Sequence, residues 1–206
     1  MNTDINRLIA EKLRRLKEED PDELRRVLMS LTEAEAESIA YDWSIWGRPA
    51  QQYDIRKAPK ITFWQCARGW GKTRTGAEAV RHAVENGCKR IALIGPTAGD
   101  ARDVMVLGES GLLSVFPPHK KPEYQPSYAR VVFSNGAEAK LFSAEDPNRL
   151  RGPQHDFCWM DEPASINNRD MFDQMLIGNR IGVAKTIVTG TPMVNDIVLE
   201  LHRRRN

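Results

Sequence analysis

The feature that most constrains this chain is the stretch Phe63–Ala79, which reads FWQCARGWGKTRTGAEA. Apolar residues 61–64 predict a short buried strand, and residues 75–84 follow a helical pattern. A glycine-bearing turn and Gly71-Lys72-Thr73 lie between them. Strand, loop, Gly-Lys-Thr and helix in this order are typical of a phosphate-binding loop. Backbone N–H groups of the loop and the positive end of the helix dipole would hold the β- and γ-phosphates of a nucleotide.

The side chains of this loop suggest how a nucleotide would be held. Lys72 would place a point charge on the phosphate oxygens, and the Thr73 hydroxyl would ligate Mg²⁺. The full pattern begins with a glycine, at which position this chain has Cys66. Cys66 is small, so we expect the turn to survive with a negative φ there; the rival interpretation is a chance Gly-Lys-Thr at a helix start. The candidate nucleotide-binding residues of the loop are Arg68, Gly69, Gly71, Lys72, Thr73 and Arg74.

Composition excludes several classes of protein. A hydrophobic content of 41% is typical of a soluble globular chain, and no apolar run approaches the roughly 20 residues of a membrane helix. The net charge of +2 is too small for a uniformly basic nucleic-acid-binding domain, so any DNA contact must be local or come from another domain or subunit. The three cysteines lack metal-ligand spacing and are expected to be reduced, in a cytoplasm.

The first part of the chain is predicted to be a helical arm. Residues 4–19 carry apolar side chains at helical spacing, and Asp20-Pro21 ends this helix. The sequence 32–35, Thr-Glu-Ala-Glu, is a near capping box that starts a further helix reaching to about Trp43. Such an arm is expected to pack on a core or a neighbour. The predicted domains are the arm, residues 1–45, and the core domain, residues 46–206.

The segment before the loop offers candidates for base recognition. In several nucleotide-driven motors an upstream glutamine reads the adenine edge. A glutamine amide donates and accepts at once, which matches the N6/N7 pair of adenine. We therefore predict Gln51 in this role, with Gln52 as the alternative and Arg48 as a neighbouring nucleotide-binding residue.

The middle of the chain predicts a mainly parallel sheet. Residues 89–94 form a second apolar strand, and a helix is predicted over residues 98–107. Strand, short loop and helix repeat, which indicates an α/β fold. Residues 128–134 and 137–143 alternate around Asn135-Gly136, which predicts a β-hairpin added at an edge of the sheet.

An acidic pair follows the next apolar strand. Phe157 to Met160 are apolar and lead directly into Asp161-Glu162. Asp161 would hold Mg²⁺ through water, and Glu162 would act as the general base on the attacking water. Adjacent side chains at a strand end point in different directions, so the two carboxylates can take two roles. The alternative is a solvated strand terminus.

Four segments in this order resemble the ATPase region of the large terminase subunit of tailed phages. They are WSIWGRPAQ, CARGWGKTRTGAEA, RLRGPQHDFCWMDEPA and IVTGTPM, and the likeness runs from about Leu31 to Pro192. These proteins are motors that package genomic DNA into a procapsid. The resemblance implies a P-loop NTPase of the ASCE/RecA-like class, with a mainly parallel sheet flanked by helices, an added β-hairpin and a helical N-terminal arm.

The resemblance also implies roles for individual residues. Arg68 matches an arginine that senses or stabilises the γ-phosphate. Arg151 matches an arginine finger that acts on a neighbouring subunit's nucleotide, with Arg149 as a competing candidate. Thr189 and Thr191 belong to Thr-Gly-Thr-Pro, which matches the motif that couples hydrolysis to movement.

The implied activity is Mg²⁺-dependent ATP hydrolysis that drives double-stranded DNA into a procapsid. The implied partners are DNA, a homo-oligomeric ring, the portal protein and the small terminase subunit, without a membrane. The implied location is the host cytoplasm, with transient docking on the procapsid. Large terminases also carry a nuclease domain, whose acidic cluster is missing here, so we expect an isolated ATPase domain without nuclease activity. Two alternatives stay open at this point: a helicase-like ATPase, and a nucleotide-binding oligomerisation scaffold with little turnover.

Overall fold

The structure, a computed structural model, describes residues 3–204. Contacts divide the chain after Gln52 into two compact units. The first unit is helical, as predicted for the N-terminal part of the chain. Its helices are α1 (Thr3–Glu19), α2 (Pro21–Ser30), α3 (Glu33–Ala40) and α4 (Trp43–Trp46).

Two predicted helix boundaries in the first unit are confirmed. The Asp20 side chain accepts the N–H of Glu23, and Pro21 occupies the first position of α2, where its missing N–H costs nothing. Thr32 and Glu35 form a reciprocal capping box, in which each side chain accepts the other's backbone N–H. These caps fix where the chain leaves one helix and enters the next.

The third helix is shorter than predicted. It ends at Ala40, because the Asp42 side chain accepts the N–H and the hydroxyl of Ser44 and so starts α4. The prediction of a helix reaching Trp43 overlooked this second cap, since Asp42 is a good N-cap residue. The unit has a small apolar cluster, formed by Leu13, Leu24, Ile39 and Ile45.

The second unit is built on one seven-stranded sheet. The strand order is β1-β7-β6-β2-β5-β4-β3, parallel from β1 to β5, with β4 and β3 antiparallel at one edge. The strands are β1 (Ile61–Gln65), β2 (Arg90–Gly95), β3 (Glu123–Gln125), β4 (Arg130–Val132), β5 (Glu138–Ser143), β6 (Phe157–Asp161) and β7 (Lys185–Gly190). The helices are α5 (Lys72–Glu85), α6 (Arg169–Gly178) and α7 (Asp196–Arg203). Of the helices within residues 3–204, none has the length and apolarity to span a lipid bilayer.

Both faces of the sheet are covered by apolar clusters. One cluster joins α5 to the sheet through side chains such as Val80 and Trp159. The other joins α6 and α7 to the opposite face through side chains such as Phe172 and Met160. Every residue of β6 is buried, as expected for a parallel strand with helices on both sides. The predicted layered α/β fold with a mainly parallel sheet is confirmed.

Strand β7 lies between β1 and β6, although it comes last in the chain. Gln65 pairs with Gly190, and Asp161 pairs with Thr189. Because neighbouring parallel strands end at the same edge of a sheet, the segments that follow β1, β6 and β7 meet there. This topology brings together three segments that are far apart in the sequence.

The predicted hairpin is present, but its place in the sheet differs from the prediction. Gly136 turns the chain with a φ of 78° between β4 and β5. Strand β5 pairs in parallel with β2 along its length and belongs to the core, so only β4 and β3 are edge additions. The reason is that β5 buries residues on both faces, with Leu141 in one apolar cluster and Phe142 in the other.

The helix predicted over residues 98–107 is a π-helix at Asp100–Val106. Just before it, the Thr97 hydroxyl donates to the Asp100 carboxylate, and each of these two side chains accepts the backbone N–H of the other residue. Helical periodicity of about 3.6 residues does not distinguish this wider turn from an α-helix. Short π-helical segments occur frequently at functional sites.

His155 is a buried group that should make stability depend on pH. Its ring is 2% exposed, and burial, with smaller effects of Lys140 and Arg90, lowers its pKa to about 4. The unfolded chain has the higher pKa, so it binds more protons as the pH falls, and stability is lost from about pH 6.5 downward. Relative to His155→Phe, the wild type is expected to lose about 2 kcal/mol of unfolding free energy between about pH 7.5 and 5. Urea denaturation at both pH values measures this; parallel pH profiles for the two proteins would contradict it.

Candidate active site

The loop between β1 and α5 turns at two glycines. Gly69 and Gly71 have φ values of 77° and 86°, in the left-handed region that costs other residues roughly 1–2 kcal/mol. Cys66 is not among the residues with positive φ, as expected, and its N–H donates to the Gly190 oxygen at 2.9 Å. The missing first glycine is therefore compatible with the loop, because later glycines make the turn.

The first turn of α5 presents backbone donors without a side-chain cap. Gly71 is its N-cap residue and has no side chain that could accept a hydrogen bond there. In α2, α3, α4, α6 and α7 an Asp, Thr or Asn side chain does so. An uncapped helix start combines backbone N–H donors with the positive end of the helix dipole. An anionic phosphate is suited to this place.

Lys72 lies next to the acidic pair. Its Nζ is 3.5 Å from Glu162 Oε1 and donates to the Cys66 carbonyl oxygen at 3.3 Å. The Lys72 side chain is 10% exposed, so most of it is shielded from bulk water. The phosphate-binding loop and the acidic pair thus meet in the fold, although about ninety residues separate them in the sequence.

Asp161 is buried and held by the neighbouring strand. The Thr189 hydroxyl donates to Asp161 Oδ1 at 2.6 Å. Burial raises the pKa of Asp161 to about 6, and the hydrogen bond from Thr189 acts in the opposite direction by stabilising the charged form. In this structure the Thr189 side chain is fully buried and its hydroxyl is bonded to Asp161, so its predicted contact with nucleotide stays a prediction.

Glu162 takes a backbone conformation that separates it from Asp161. Its φ of 46° lies in the left-handed region, which is uncommon for a residue with a side chain. Its Oε2 accepts the N–H of Thr191 at 3.0 Å and the Thr191 hydroxyl at 2.7 Å. The two adjacent carboxylates therefore point to different partners, as the two-role prediction requires.

These residues line one cleft of about 760 Å³. Such a volume lies within the range of about 300–1,000 Å³ that is usual for small-ligand sites. The cleft is lined by Gly69, Gly71, Lys72, Thr73, Arg74, Pro96, Thr97, Asp100, Val104, Ser110, Asp161, Glu162 and Ser165. The strand order explains why the loop and the acidic pair share it.

The oxygen groups in the cleft fit Mg²⁺. Thr73 and Asp161 both line it, and hydroxyl and carboxylate oxygens are the hard ligands that Mg²⁺ prefers. Between residues 3 and 204 no three His, Cys, Asp or Glu side chains form a metal cage. Mg²⁺ does not need one, because it is usually held through one or two carboxylates together with substrate phosphates.

Arg74 lines the cleft but is bound to a residue of its own helix. Its guanidinium contacts Glu78 Oε1 at 2.9 Å through Nε and at 2.7 Å through Nη2. Glu78 is 4% exposed and also lies 3.8 Å from Arg81. Burial raises the pKa of Glu78 to about 6, against the effect of both arginines. In this structure Arg74 is thus held by Glu78, and its contact with nucleotide stays a prediction.

Three arginines with predicted roles lie outside the cleft lining. Arg68, Arg149 and Arg151 are exposed, and none of them lines the cleft. Exposure is compatible with action on a neighbouring subunit, but it does not show whether Arg149 or Arg151 is the arginine finger. The roles of all three stay predictions.

The residues predicted to read adenine lie in the first unit. Gln51 is buried, and its Oε1 accepts from the backbone N–H of Arg48 at 3.0 Å and from its Nε at 3.2 Å. The Gln52 amide donates to the carbonyl oxygens of Trp43 and Gly47, both at 2.9 Å. The glutamine amides therefore bond to neighbouring residues, and adenine recognition stays a prediction.

The part of the cleft that follows β2 is not predicted by the sequence patterns. Thr97, Asp100 and Ser110 line this part, and Ser165, which follows β6, also lines the cleft. A signal for Thr97 was available, since it follows a parallel strand whose carboxyl end lies at the same edge as the loop. Ser110 carries no such local signal, because the π-helix that places it was not predicted.

Comparison with known protein families gives a match over most of the second unit. A family model described as "Terminase large subunit, T4likevirus-type, N-terminal" matches residues 65–194, which is more than half of the chain. The matched residues include the Gly-Lys-Thr loop, the acidic pair and the Thr-Gly-Thr segment at the end of β7. No curated protein matches the chain.

Solved structures with the same fold include ATPase domains of phage origin. The large terminase ATPase domain of Thermus phage P74-26 is 19% identical, with a TM-score of 0.53, over 72% of this chain and 68% of that chain. The large terminase of a thermophilic bacteriophage in complex with ADP is 16% identical, with a TM-score of 0.55, over 75% of this chain. The complex of the same terminase with ATP-gamma-S is 14% identical, with a TM-score of 0.53. The match covers 38% and 36% of these two longer chains, and at such identities the likeness establishes the fold.

Proposed function

The chain belongs to the family of T4likevirus-type terminase large subunits, and from this premise we propose that it is an ATPase that drives double-stranded DNA into a procapsid. The observation that carries the ATPase part is the 3.5 Å separation between Lys72 Nζ and Glu162 Oε1 in one cleft. It supports a site in which a phosphate-binding group and a water-activating group meet. The two structures of the thermophilic bacteriophage terminase contain ADP or ATP-gamma-S, which is consistent with nucleotide as the ligand.

The nucleotide would bind with its β- and γ-phosphates against the start of α5. Gly71 leaves the backbone donors there without a side-chain cap, and Lys72 adds a positive charge. Thr73 and Asp161 would hold Mg²⁺, which when bound neutralises charge on the phosphate oxygens. Asp161 is fit to do so because Thr189 holds its carboxylate in place.

Glu162 would activate the attacking water. Water attacks the γ-phosphorus, its proton passes to Glu162, and the bond from the γ-phosphorus to the bridging oxygen breaks. In the present structure Glu162 is bound by Lys72 and Thr191. A γ-phosphate competes with Glu162 for the Lys72 ammonium, so nucleotide binding would release one of these two contacts and leave the carboxylate available to water.

The end of β7, together with Thr191 directly after it, would couple hydrolysis to movement. Thr189 donates to Asp161, and Thr191 donates to Glu162, so both carboxylates are connected to one strand. A change in the bonding of either carboxylate therefore reaches β7 directly. Arg68 would stabilise the γ-phosphate, and Arg151 would reach the nucleotide of a neighbouring subunit.

The assembly we propose is a homo-oligomeric ring that docks on the portal protein of a procapsid in the host cytoplasm, with the small terminase subunit as a further partner. The net charge of +2 supports a local DNA-binding surface, or one shared among subunits, rather than a uniformly basic domain. The family match supports this context, and the chain spans well under half the length of the thermophilic bacteriophage terminase.

A second candidate is a nucleotide-binding scaffold that oligomerises with little turnover. The bonds that Glu162 accepts from Thr191 favour it, because a carboxylate oxygen that is occupied by these donors is not available to the attacking water. Comparing hydrolysis by the wild type and a variant of Glu162 separates the two candidates.

Replacing Lys72 by methionine tests the proposed nucleotide site. A hydrogen bond to a charged group is worth about 1.5–3 kcal/mol, so the affinity for ATP-gamma-S with Mg²⁺ is expected to fall about 10- to 100-fold. Calorimetric titration measures it. Lys57→Met is the matched control, since the Lys57 side chain is 86% exposed on the surface and should not affect binding. Equal affinities in all three proteins would exclude this cleft as the phosphate site.

A further inference from the structure

Trp159 carries a polar indole N–H in the apolar part of β6, before Asp161. It lies in β6, two residues before Asp161, and among the described residues it is the largest side chain that is fully buried. Its indole Nε1 donates to the Thr189 hydroxyl oxygen at 2.7 Å. A buried tryptophan requires a partner for its N–H, and here that partner is the residue that holds Asp161.

The direction of this hydrogen-bond chain is fixed by its first member. An indole N–H can only donate, so the Thr189 oxygen must accept from Trp159. A hydroxyl has a single proton, and the proton of Thr189 is then left for Asp161 Oδ1, which lies 2.6 Å away. Without the indole, the Thr189 hydroxyl could rotate and use its proton elsewhere. Trp159 thus determines the bond that Asp161 receives, without touching the cleft itself.

Helix α5 holds the indole in place. A side chain at Gly76 would put its Cβ 2.2 Å from Trp159 Cε2, which is shorter than any normal contact. The indole therefore rests against the helix backbone at a position that glycine leaves open. Gly76 lies one helical turn after Thr73, so the helix that would bind phosphate also fixes the start of the hydrogen-bond chain.

We propose that Trp159 is a positioning residue for the metal-binding carboxylate. Clamped between Gly76 and Thr189, it orients the Thr189 hydroxyl and thereby fixes Asp161 for a divalent cation. This inference rests on the proposed function, because it assigns the role of Asp161 to metal binding. It implies that α5 influences the metal site through Trp159 and Thr189, in addition to its contact with the phosphates.

The test measures the Mg²⁺ concentration required for tight binding of ATP-gamma-S. Loss of a group that orients a metal ligand typically costs about 10-fold or more in metal affinity. Trp159→Phe and Thr189→Val are therefore expected to raise the required Mg²⁺ concentration about tenfold, while the affinity measured in EDTA changes little. Thr189→Ser keeps the hydroxyl, so the Mg²⁺ concentration that it requires should stay near the wild-type value. Trp64→Phe is the matched control, a tryptophan packed against the same apolar cluster from β1.

A second readout needs no activity. In ¹⁵N spectra of the ligand-free protein, the Trp159 indole signal is the one missing from Trp159→Phe. This indole N–H should be protected from hydrogen exchange with solvent. Its chemical shift should change in Thr189→Val and stay near the wild-type value in Thr189→Ser. If Trp159→Phe does not fold, the Mg²⁺ requirements of the two Thr189 variants carry the test, and a wild-type requirement in Thr189→Val would contradict the proposed hydrogen-bond chain.

The outcomes separate this inference from the proposed function. One outcome is that the wild type binds nucleotide in a Mg²⁺-dependent way, while Trp159→Phe and Thr189→Val show the wild-type Mg²⁺ requirement. In that case the positioning role of Trp159 is wrong and the nucleotide site stands. If the wild type binds no nucleotide, or binds it without regard to Mg²⁺, the proposed function fails and this inference fails with it.

Discussion

Replacing Glu162 by glutamine is expected to lower the rate of phosphate release at least about a hundredfold and to leave nucleotide binding in place, because a positioned general base contributes roughly 10²–10⁴ in rate. Glutamine keeps the length of the side chain, and its carbonyl oxygen can still accept from Thr191, which now donates to Glu162 at 2.7 Å. What it loses is the ability to take a proton from water. Phosphate release at saturating ATP and Mg²⁺, together with a separate measurement of ATP binding, gives both quantities.

Glu145→Gln is the control for this experiment, since it removes an exposed carboxylate that does not line the cleft. Equal, near-zero rates for wild type and Glu162→Gln would favour the scaffold. Equal and substantial rates would show that another group activates the water.

Replacing Arg151 by alanine is expected to abolish most of the ATPase activity of assembled chains. An arginine finger is worth about 10³–10⁵ in rate, and Arg151 is exposed and absent from the cleft lining of its own chain. The isolated subunit should then be a weak ATPase whether or not it carries Arg151. The rate per chain, measured over a range of protein concentrations, should rise steeply with assembly for the wild type and stay low for the variant.

Mixing two inactive variants gives a sharper form of this test. A chain with Arg151→Ala keeps its own Glu162 and can receive the arginine of a neighbour that carries Glu162→Gln. Mixed assemblies should therefore regain part of the activity that each variant lacks alone. Arg149→Ala is the control, and loss of activity in it instead of Arg151→Ala would reassign the finger. A dilute wild-type monomer that hydrolyses ATP as fast as the assembly would rule out action between subunits.

The sequence predicted the elements whose signals are local. The Gly-Lys-Thr loop, the buried strand before Asp161 and the turn at Asn135-Gly136 each follow from a few adjacent residues. Their order was enough to predict a parallel α/β sheet and to suggest that the loop and the acidic pair meet. The distance between Lys72 and Glu162 agrees with this prediction.

Other features depend on contacts between distant strands. The bond from Thr189 to Asp161 follows from the register between β7 and β6, which no local pattern in either strand specifies. The assignment of β5 to the parallel core likewise depends on which strand it pairs with. The sequence pattern predicts that Thr189 contacts nucleotide, and it gives no sign that the Thr189 hydroxyl also bonds to Asp161.

One contact could have been predicted and was not. Arg74 and Glu78 are four residues apart on a predicted helix, a spacing at which opposite charges meet. From its place directly after Gly-Lys-Thr, Arg74 is predicted only to bind nucleotide. Because a buried carboxylate needs a charged partner, Glu78 holds the Arg74 side chain more firmly than an exposed carboxylate would.

A crystal structure of the Glu162→Gln variant with ATP and Mg²⁺ tests the shared nucleotide site most directly. We expect the γ-phosphate at the start of α5 within hydrogen-bond distance of Lys72 Nζ, and the metal on the Thr73 hydroxyl and, through water, on Asp161. A nucleotide bound at another place on the chain, or bound with its phosphates away from Lys72 and the acidic pair, would contradict the proposal that these two groups grip one triphosphate.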